Sequence, residues 1–212
     1  MSQPISRRHF AITAALAAVA PAALATKKSA NNPYTDGVEY ISLPYQVATR
    51  AAKGKVEVVE FFSYLCIHCY NLEPKFQAWK KSADKVLDIK KVHIAFDERT
   101  AVMQKMFYTL KSLGLQEKYH QAILDTTFVK KQAIKSDNDI IQWCVAHGIN
   151  ASEVAMFMGS FSVANDRKMA DKLTNDYGVD ATPTMGVAGQ FFIPAQGERM
   201  FAVAEYLAKD FR

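Results

Sequence analysis

Two runs of β-branched and aromatic residues predict neighbouring strands. Residues 55–62 are apolar apart from an initial lysine and two glutamates, and they predict a buried central strand. In residues 87–96 apolar positions lie among charged ones, which predicts the next strand. The ~25 residues between the strand centres suit a helical crossover, so we expect parallel strands in a right-handed βαβ unit.

The segment between these runs has the spacing of a helix. Apolar side chains recur at Leu72, Phe76 and Trp79, which predicts a helix from residue 69 to about residue 82. Pro74 is expected to kink this helix near its first turns.

Helical spacing also dominates the middle of the chain. Residues 101–176 contain apolar stripes separated by turns rich in Gly, Ser, Asn and Asp. We interpret them as four or five helices in one inserted domain. The Met and aromatic positions of these stripes are expected to pack in its core.

Strand patterns return near the end of the chain. Residues 184–188 and 191–193 predict an antiparallel hairpin, with Gly189 and Gln190 as its two-residue turn. A short strand at residues 40–43 and a C-terminal helix at residues 205–211 complete the pattern. The predicted fold class is α/β, with residues 39–100 and 177–212 forming one unit around the insertion.

The N-terminus has the pattern of an export signal. Arg7 and Arg8 precede an apolar, Ala-rich run, and small residues stand at a cleavage position near Ala25. We therefore expect residues 1–25 to be a signal peptide and residues 26–38 to be a flexible lead-in. The arginine pair resembles the twin-arginine motif, but an ordinary secretory signal fits as well. The apolar run is shorter than the ~20 residues of a membrane span, so we expect the exported protein to be soluble.

Charge and size exclude several classes of function. The chain has 212 residues, 50% of them hydrophobic, which is enough for a substantial core. Its formal charge of +5 includes Arg7 and Arg8, and falls to +3 without residues 1–25. The lysines are scattered along the chain, so we expect no nucleic-acid partner.

The three cysteines divide into a pair and a single residue. Cys66 and Cys69 lie three apart, whereas Cys144 lies in an apolar helical stretch and is expected to be a small buried side chain. An odd, sparse set of cysteines does not form a structural disulfide framework.

The motif Cys66-Ile67-His68-Cys69 follows a buried strand and opens a helix. The first N–H groups of a helix lack partners and its dipole is positive there, so this position favours a thiolate at Cys66. A thiolate stabilises the reduced dithiol and makes the disulfide a stronger oxidant. His68 can add a donor or a charge, and Cys69 is placed to resolve a mixed disulfide. Half of a zinc site and a short structural disulfide remain alternatives, although no further Cys or His has ligand spacing.

Two further features surround the motif. Glu60 interrupts an apolar strand, and Lys91 on the neighbouring strand is its expected partner in a buried acid–base pair that relays protons and tunes Cys69. The alternative is a half-exposed Glu60 at the strand end. Thr182 and Pro183 precede the hairpin, and a cis peptide bond there would turn the backbone of Thr182 toward the dithiol.

These residues resemble the DsbA family of periplasmic disulfide oxidases. The resemblance is carried by residues 59–69, Leu72-Glu73-Pro74, residues 91–94 and residues 178–184, and it extends over about residues 36–212. It implies a thioredoxin fold with an inserted helical domain, in which Thr182-Pro183 is a cis-proline loop facing Cys66. It also implies that the Cys66–Cys69 disulfide oxidises unfolded exported proteins. A DsbB-like, quinone-linked membrane protein would then reoxidise the dithiol.

Two departures from the family pattern leave details open. Ile67 stands where the family most often has proline, which affects the oxidising strength, and a twin-arginine-like signal is not the family's usual export route. A reductase or isomerase of the same fold is one alternative function. The short stretch of residues 26–39 leaves no room for an isomerase's dimerisation domain, so we expect a monomer. A thiol-dependent binding protein or chaperone is the other alternative. No cofactor and no metal are expected.

Overall fold

The computed structural model describes residues 32–211. The predicted signal peptide, its cleavage position near Ala25 and residues 26–31 of the lead-in lie outside this range. Among the described helices, none combines the length and the apolar character that crossing a bilayer requires.

A mixed five-stranded sheet forms the centre of the molecule. Its order is β1-β5-β4-β2-β3, and among the strands that the structure describes the β2–β3 pair alone is parallel. All seven residues of β2 are buried, which explains why an almost continuous apolar run codes for it. The strands are β1 Ile41–Ser42, β2 Val56–Phe62, β3 Leu87–His93, β4 Thr184–Val187 and β5 Phe191–Ile193.

In residues 32–211, seven α-helices accompany the sheet, and five of them lie between β3 and β4. They are α1 Ile67–Ala83, α2 Glu98–Ser112, α3 Gln116–Phe128, α4 Asp137–Ala146, α5 Ala151–Met158, α6 Phe161–Asp176 and α7 Arg199–Leu207, followed by a 3-10 turn at Ala208–Phe211. The α/β class and the run of helices in the middle of the chain are confirmed, and α2–α6 account for that run.

Two hydrophobic cores lie on the sheet. One joins β2 and β3 to the helices α2–α6, and its large buried side chains include Phe61, Phe107 and Trp143. The other joins the sheet to α1 and α7, through residues such as Val58, Phe76 and Val203. The dithiol follows β2, and Cys69 is buried in the first of these cores while Cys66 packs against it.

Several predicted boundaries were wrong. β3 ends at His93, three residues before the predicted end, and α1 begins at Ile67 rather than at Cys69. The C-terminal helix begins at Arg199, six residues early, because Met200 and Val203 already pack against the sheet at helical spacing.

The hairpin turn is also one residue earlier than predicted. Ala188 and Gly189 both have positive φ values, 53° and 69°, and Gln190 N–H donates to Val187 O at 3.0 Å. Two central residues with positive φ match the twist of the flanking strands. A Cβ atom at position 189 would lie 2.1 Å from Val47 O, so glycine is required there.

Candidate active site

Cys66 caps the N-terminus of α1 with its own side chain. It has an extended backbone, φ −98° and ψ 112°, and its sulfur accepts a hydrogen bond from Cys69 N–H at 3.2 Å. The sulfur thus accepts a hydrogen bond from one of the first backbone N–H groups, which have no partner within the helix. Ser, Thr, Asp or Asn side chains have this role at other helices. Cys66 is partly exposed, whereas Cys69 is 3% exposed, so the two thiols occupy unequal environments.

The pKa values of the two thiols diverge accordingly. A hydrogen bond with the Cys69 thiol is the largest influence that lowers the pKa of Cys66, to about 5, and it outweighs burial. Contacts with Thr182 and with the backbone of Cys69 and His68 lower this pKa further. Burial, followed by the proximity of Cys66, raises the pKa of Cys69 far above its ordinary value. At neutral pH, Cys66 is therefore the thiolate and Cys69 the thiol.

The Thr182–Pro183 peptide bond is cis and lies against the dithiol. Cys66 Sγ lies 3.4 Å from Thr182 O, and it can donate a hydrogen bond to this oxygen only while it is protonated. Thr182 and Pro183 therefore lie beside the reactive sulfur although they are more than 110 positions away in sequence. The backbone of Thr182 is within reach of a peptide that approaches Cys66.

The two residues between the cysteines face solvent. Ile67 is 46% exposed and His68 is exposed. They are the first and second residues of α1, where backbone N–H groups lack partners within the helix. His68 contributes its backbone N–H to the lowered pKa of Cys66.

The loop that leads into the dithiol is fixed by a buried histidine. Tyr64 N–H donates to His93 Nε2 at 3.0 Å, and His93 Nδ1 donates to Ile94 O at 2.8 Å. Burial lowers the pKa of His93 to about 3, so the ring is neutral and its two nitrogens keep these roles. Cys66 N–H also donates to Ser63 O at 3.1 Å.

Glu60 and Lys91 form the predicted buried pair. They are partners in the parallel register of β2 and β3, and Lys91 Nζ donates to Glu60 Oε2. Glu60 is 1% exposed, which excludes the half-exposed alternative. Burial raises the pKa of Glu60 to about 7, although Lys91 acts in the opposite direction.

Two members of this cluster were missed by the sequence analysis. Lys91 Nζ also donates to Glu73 Oε2 at 2.8 Å, and His120 Nε2 lies 3.2 Å from Glu73 Oε1. Burial raises the pKa of Glu73, but His120 and Lys91 outweigh it and hold this pKa at about 2. Glu73 lies four residues after Cys69, on the same helix face, and that spacing was an available signal. No local signal marks His120.

Cys144 lies apart from this site, in the core of the helices α2–α6. It is fully buried, and burial raises its pKa to about 11, so it is an unreactive thiol. Within residues 32–211, no group of three or more His, Cys, Asp or Glu side chains is arranged to hold a metal ion.

A thioredoxin-type sheet, a thiolate at a helix N-terminus and a cis-proline beside it define a thiol:disulfide oxidoreductase. The DSBA-like thioredoxin domain matches residues 57–208. The thiol:disulfide interchange protein DsbA of Burkholderia cepacia is 33% identical over 85% of this chain and 80% of its own length. The protein of the same name from Azotobacter vinelandii is 30% identical over 97% of this chain and 98% of its own.

Solved structures agree with this class. The crystal structure of Pseudomonas aeruginosa DsbA matches with a TM-score of 0.78 and 28% identity, covering 84% of this chain and 95% of the other. The chain belongs to the DsbA family.

Proposed function

We propose that the protein oxidises cysteine pairs of exported proteins in the periplasm, through the Cys66–Cys69 disulfide. A substrate thiolate attacks Cys66 Sγ, the Cys66–Cys69 bond breaks, and Cys69 leaves with the electron pair and takes up a proton. A second substrate thiolate then attacks the substrate sulfur of the mixed disulfide and releases Cys66 as a thiolate. The substrate gains a disulfide and the protein holds the two electrons as a dithiol.

The contrast between the two thiols carries this proposal. A pKa of about 5 makes Cys66 a good leaving group and stabilises the reduced form relative to the disulfide. The reaction is therefore favourable in the direction that oxidises the substrate. The names of the relatives, thiol:disulfide interchange proteins, support the same chemistry.

The surrounding residues have distinct roles in this proposal. His68 supports the thiolate at the exposed end of α1, and Thr182 and Pro183 align an extended substrate segment beside Cys66. Glu60, paired with Lys91, gives a proton to Cys69 when it leaves and removes it when Cys69 attacks. The raised pKa of Glu60, about 7, suits both directions at neutral pH.

The export route and the reoxidation partner belong to the same proposal. The N-terminal signal pattern of residues 1–25 and the family membership support a periplasmic location. A DsbB-like, quinone-linked membrane protein would reoxidise the dithiol, because each turnover leaves Cys66 and Cys69 reduced.

The reduction potential tests the direction of the reaction. Equilibration with glutathione is expected to give a value toward about −120 mV, typical of strong thiol oxidants such as DsbA itself. A value near about −270 mV, as in thioredoxin, would instead indicate a reductase. The oxidation of a reduced exported protein, compared with insulin reduction, separates the same alternatives by rate. Persistence of every effect in Cys66→Ser would indicate a binding protein or chaperone.

A further inference from the structure

His120 connects the inserted helices to the charged cluster beneath the dithiol. It lies on α3 and is 4% exposed, with its ring packed against Phe62 and Tyr64 at centroid distances of 5.3 and 5.2 Å. Glu60, Glu73 and Lys91 come from β2, α1 and β3. A side chain from the middle of the chain therefore completes a cluster that the central sheet and α1 begin.

The neighbours of His120 fix its tautomer. Its Nδ1 lies 3.0 Å from the Tyr64 hydroxyl and 3.2 Å from Gln116 Nε2. The amide nitrogen of Gln116 can only donate, so Nδ1 accepts and the ring proton is on Nε2. The Tyr64 hydroxyl stays protonated, since burial raises its pKa, and it shares the single lone pair of Nδ1 with the Gln116 amide.

The proton on Nε2 faces Glu73. Nε2 lies 3.2 Å from Glu73 Oε1. The same oxygen accepts a hydrogen bond from Gln77 Nε2 at 2.6 Å, and Glu73 Oε2 accepts one from Lys91. Within residues 32–211, Glu73 has two hydrogen-bond donors, Lys91 and Gln77, and His120 Nε2 faces it as a third N–H that is close enough to attract the carboxylate but not aligned for a hydrogen bond. Glu60 has Lys91 alone there, and its Oε1 is buried without a hydrogen-bond partner.

The charges of the cluster do not balance when both carboxyl groups are ionised. With a neutral imidazole, Glu60 and Glu73 contribute two negative charges and Lys91 contributes one positive charge. An unbalanced buried charge is unfavourable, so one carboxyl group takes up a proton most easily. Glu60 is that group, because Glu73 has the larger set of donors.

We propose that His120 is a positioning residue for the dithiol chemistry, which holds Glu73 ionised and leaves Lys91 shared with Glu60. Without the Nε2 donor, Lys91 would move toward Glu73, because Glu73 would have lost a partner while remaining charged. Glu60 would then lose part of its counter-charge and keep its proton to higher pH. This inference rests on the proposed role of Glu60 as the proton acceptor of Cys69.

The other groups that face this cluster do not titrate in its place. Burial lowers the pKa of both His120 and His93, and Glu73 and Glu60 raise the pKa of Lys91 above its ordinary value despite burial. Glu117, on α3 itself, is paired with Lys80 at 3.0 Å on the exposed side of the helix. Glu60 is therefore the group whose titration reports on His120.

The test uses oxidised glutathione as the probe and follows the attack of Cys69. After reduced protein is mixed with the probe, Cys69 gives its proton to Glu60 and its sulfur attacks Cys66 Sγ of the mixed disulfide. The glutathione–Cys66 bond breaks, the Cys66–Cys69 bond forms, and glutathione leaves as a thiolate. Rapid quenching at a series of pH values gives the rate of this step and its midpoint, expected near pH 7 in the wild type.

Two isosteric variants separate the two nitrogens of the ring. The amide of His120→Asn overlaps Nδ1 and withdraws the donor from Glu73, whereas that of His120→Gln reaches as far as Nε2 and keeps it. We expect His120→Asn to raise the midpoint by about half a pH unit or more, which slows the step at pH 7 about twofold or more. His120→Gln should retain the wild-type midpoint. His120→Ala also removes the N–H that faces Glu73, and it serves as the test if His120→Asn does not fold.

His147→Asn is the matched control, because His147 lies on the same run of helices but stacks on Trp143 at a centroid distance of 3.8 Å. An unchanged midpoint in both His120→Asn and His120→Ala would overturn the inference, even if the rates fell. A wild-type protein that forms no mixed disulfide would instead contradict the proposed function.

Discussion

Strands β2 and β3 are joined by two Glu–Lys ion pairs, which differ in their access to water. Glu57 Oε2 accepts from Lys90 Nζ at 2.6 Å, and the side chain of Lys90 is 36% exposed. In the Glu60–Lys91 pair the corresponding exposures are 1% for Glu60 and 11% for Lys91. The two carboxylates are three residues apart on β2 and therefore point to opposite faces of the sheet.

The hydrogen-bond partners of the two glutamates also differ, and they too make the Glu57 pair the more solvated one. Glu57 Oε2 also accepts from Arg50 N–H at 2.9 Å, and Lys90 is close to Asp88 at 3.2 Å, so this pair forms a partly solvated network. Among the described residues, Glu60 has one donor, Lys91, which it shares with Glu73, and one of its oxygens has no partner. A partly exposed pair contributes little beyond local stability, whereas a buried cluster with excess charge becomes titratable. The same residue types therefore form a structural ion pair in one place and, in the proposed mechanism, a proton-transfer pair in the other.

The largest expected effect removes the sulfur that forms the mixed disulfide, the reaction that the Glu60 pair is proposed to serve. Cys66→Ser should abolish disulfide exchange, because the serine hydroxyl cannot form the mixed disulfide, and the fold should persist because Ser also caps helices well. Oxidation of a reduced exported protein measures the loss. Cys144→Ser is the control and should retain the activity. Residual exchange in Cys66→Ser would assign the chemistry to another residue and make the comparison of the ion pairs irrelevant to function.

The next effect separates the two thiols by pH. The Cys66 thiolate absorbance near 240 nm should have its midpoint close to pH 5. A lowered pKa stabilises the reduced form over the disulfide only where the thiolate is present. This stabilisation is absent below pH 5, grows up to the ordinary thiol pKa of about 9, and is complete above it. The measurement is the free energy of unfolding of the oxidised and of the reduced protein at a series of pH values across this range. A constant difference in stability would contradict the lowered pKa.

The sequence indicates one half of the buried cluster and not the other. Glu60 was found because a carboxyl group is conspicuous in an apolar strand, and Lys91 because a parallel register places it alongside. His120 depends on how α3 packs on the sheet, which no local pattern encodes. The predicted position of the hairpin turn was wrong by one residue because Ala188 has a positive φ, which alanine rarely adopts. The sequence does not mark the start of α7 at Arg199, because the N-cap residue Glu198 makes no side-chain hydrogen bond to the helix.

Exchanging each glutamate for its neutral isostere tests the comparison directly. Glu60→Gln should slow the attack of Cys69 at pH 7 roughly tenfold or more, because the proton acceptor is lost. Glu57→Gln should leave this rate unchanged and lower the free energy of unfolding by about 1–3 kcal/mol, since a buried acceptor loses a charge-assisted bond. Rapid-quench kinetics and chemical denaturation of both variants give the two quantities. Equal rates in the two variants, with an unchanged titration of Cys66, would contradict the conclusion that the two ion pairs have different roles.

The smallest effect is expected at the exposed end of α1, away from both ion pairs. Ile67 is the first residue of the helix, where a backbone N–H has no partner within the helix and proline fits well. Ile67→Pro should raise the free energy of unfolding by about 0.4–1 kcal/mol by restricting the unfolded chain. Denaturant unfolding checks the gain, and the pH midpoint of the Cys69 step should not move. A shifted midpoint would mean that the helix N-terminus, and not the charged cluster alone, controls the titration of Glu60. The contrast between the solvated and the buried ion pair would then extend to the dipeptide between the cysteines.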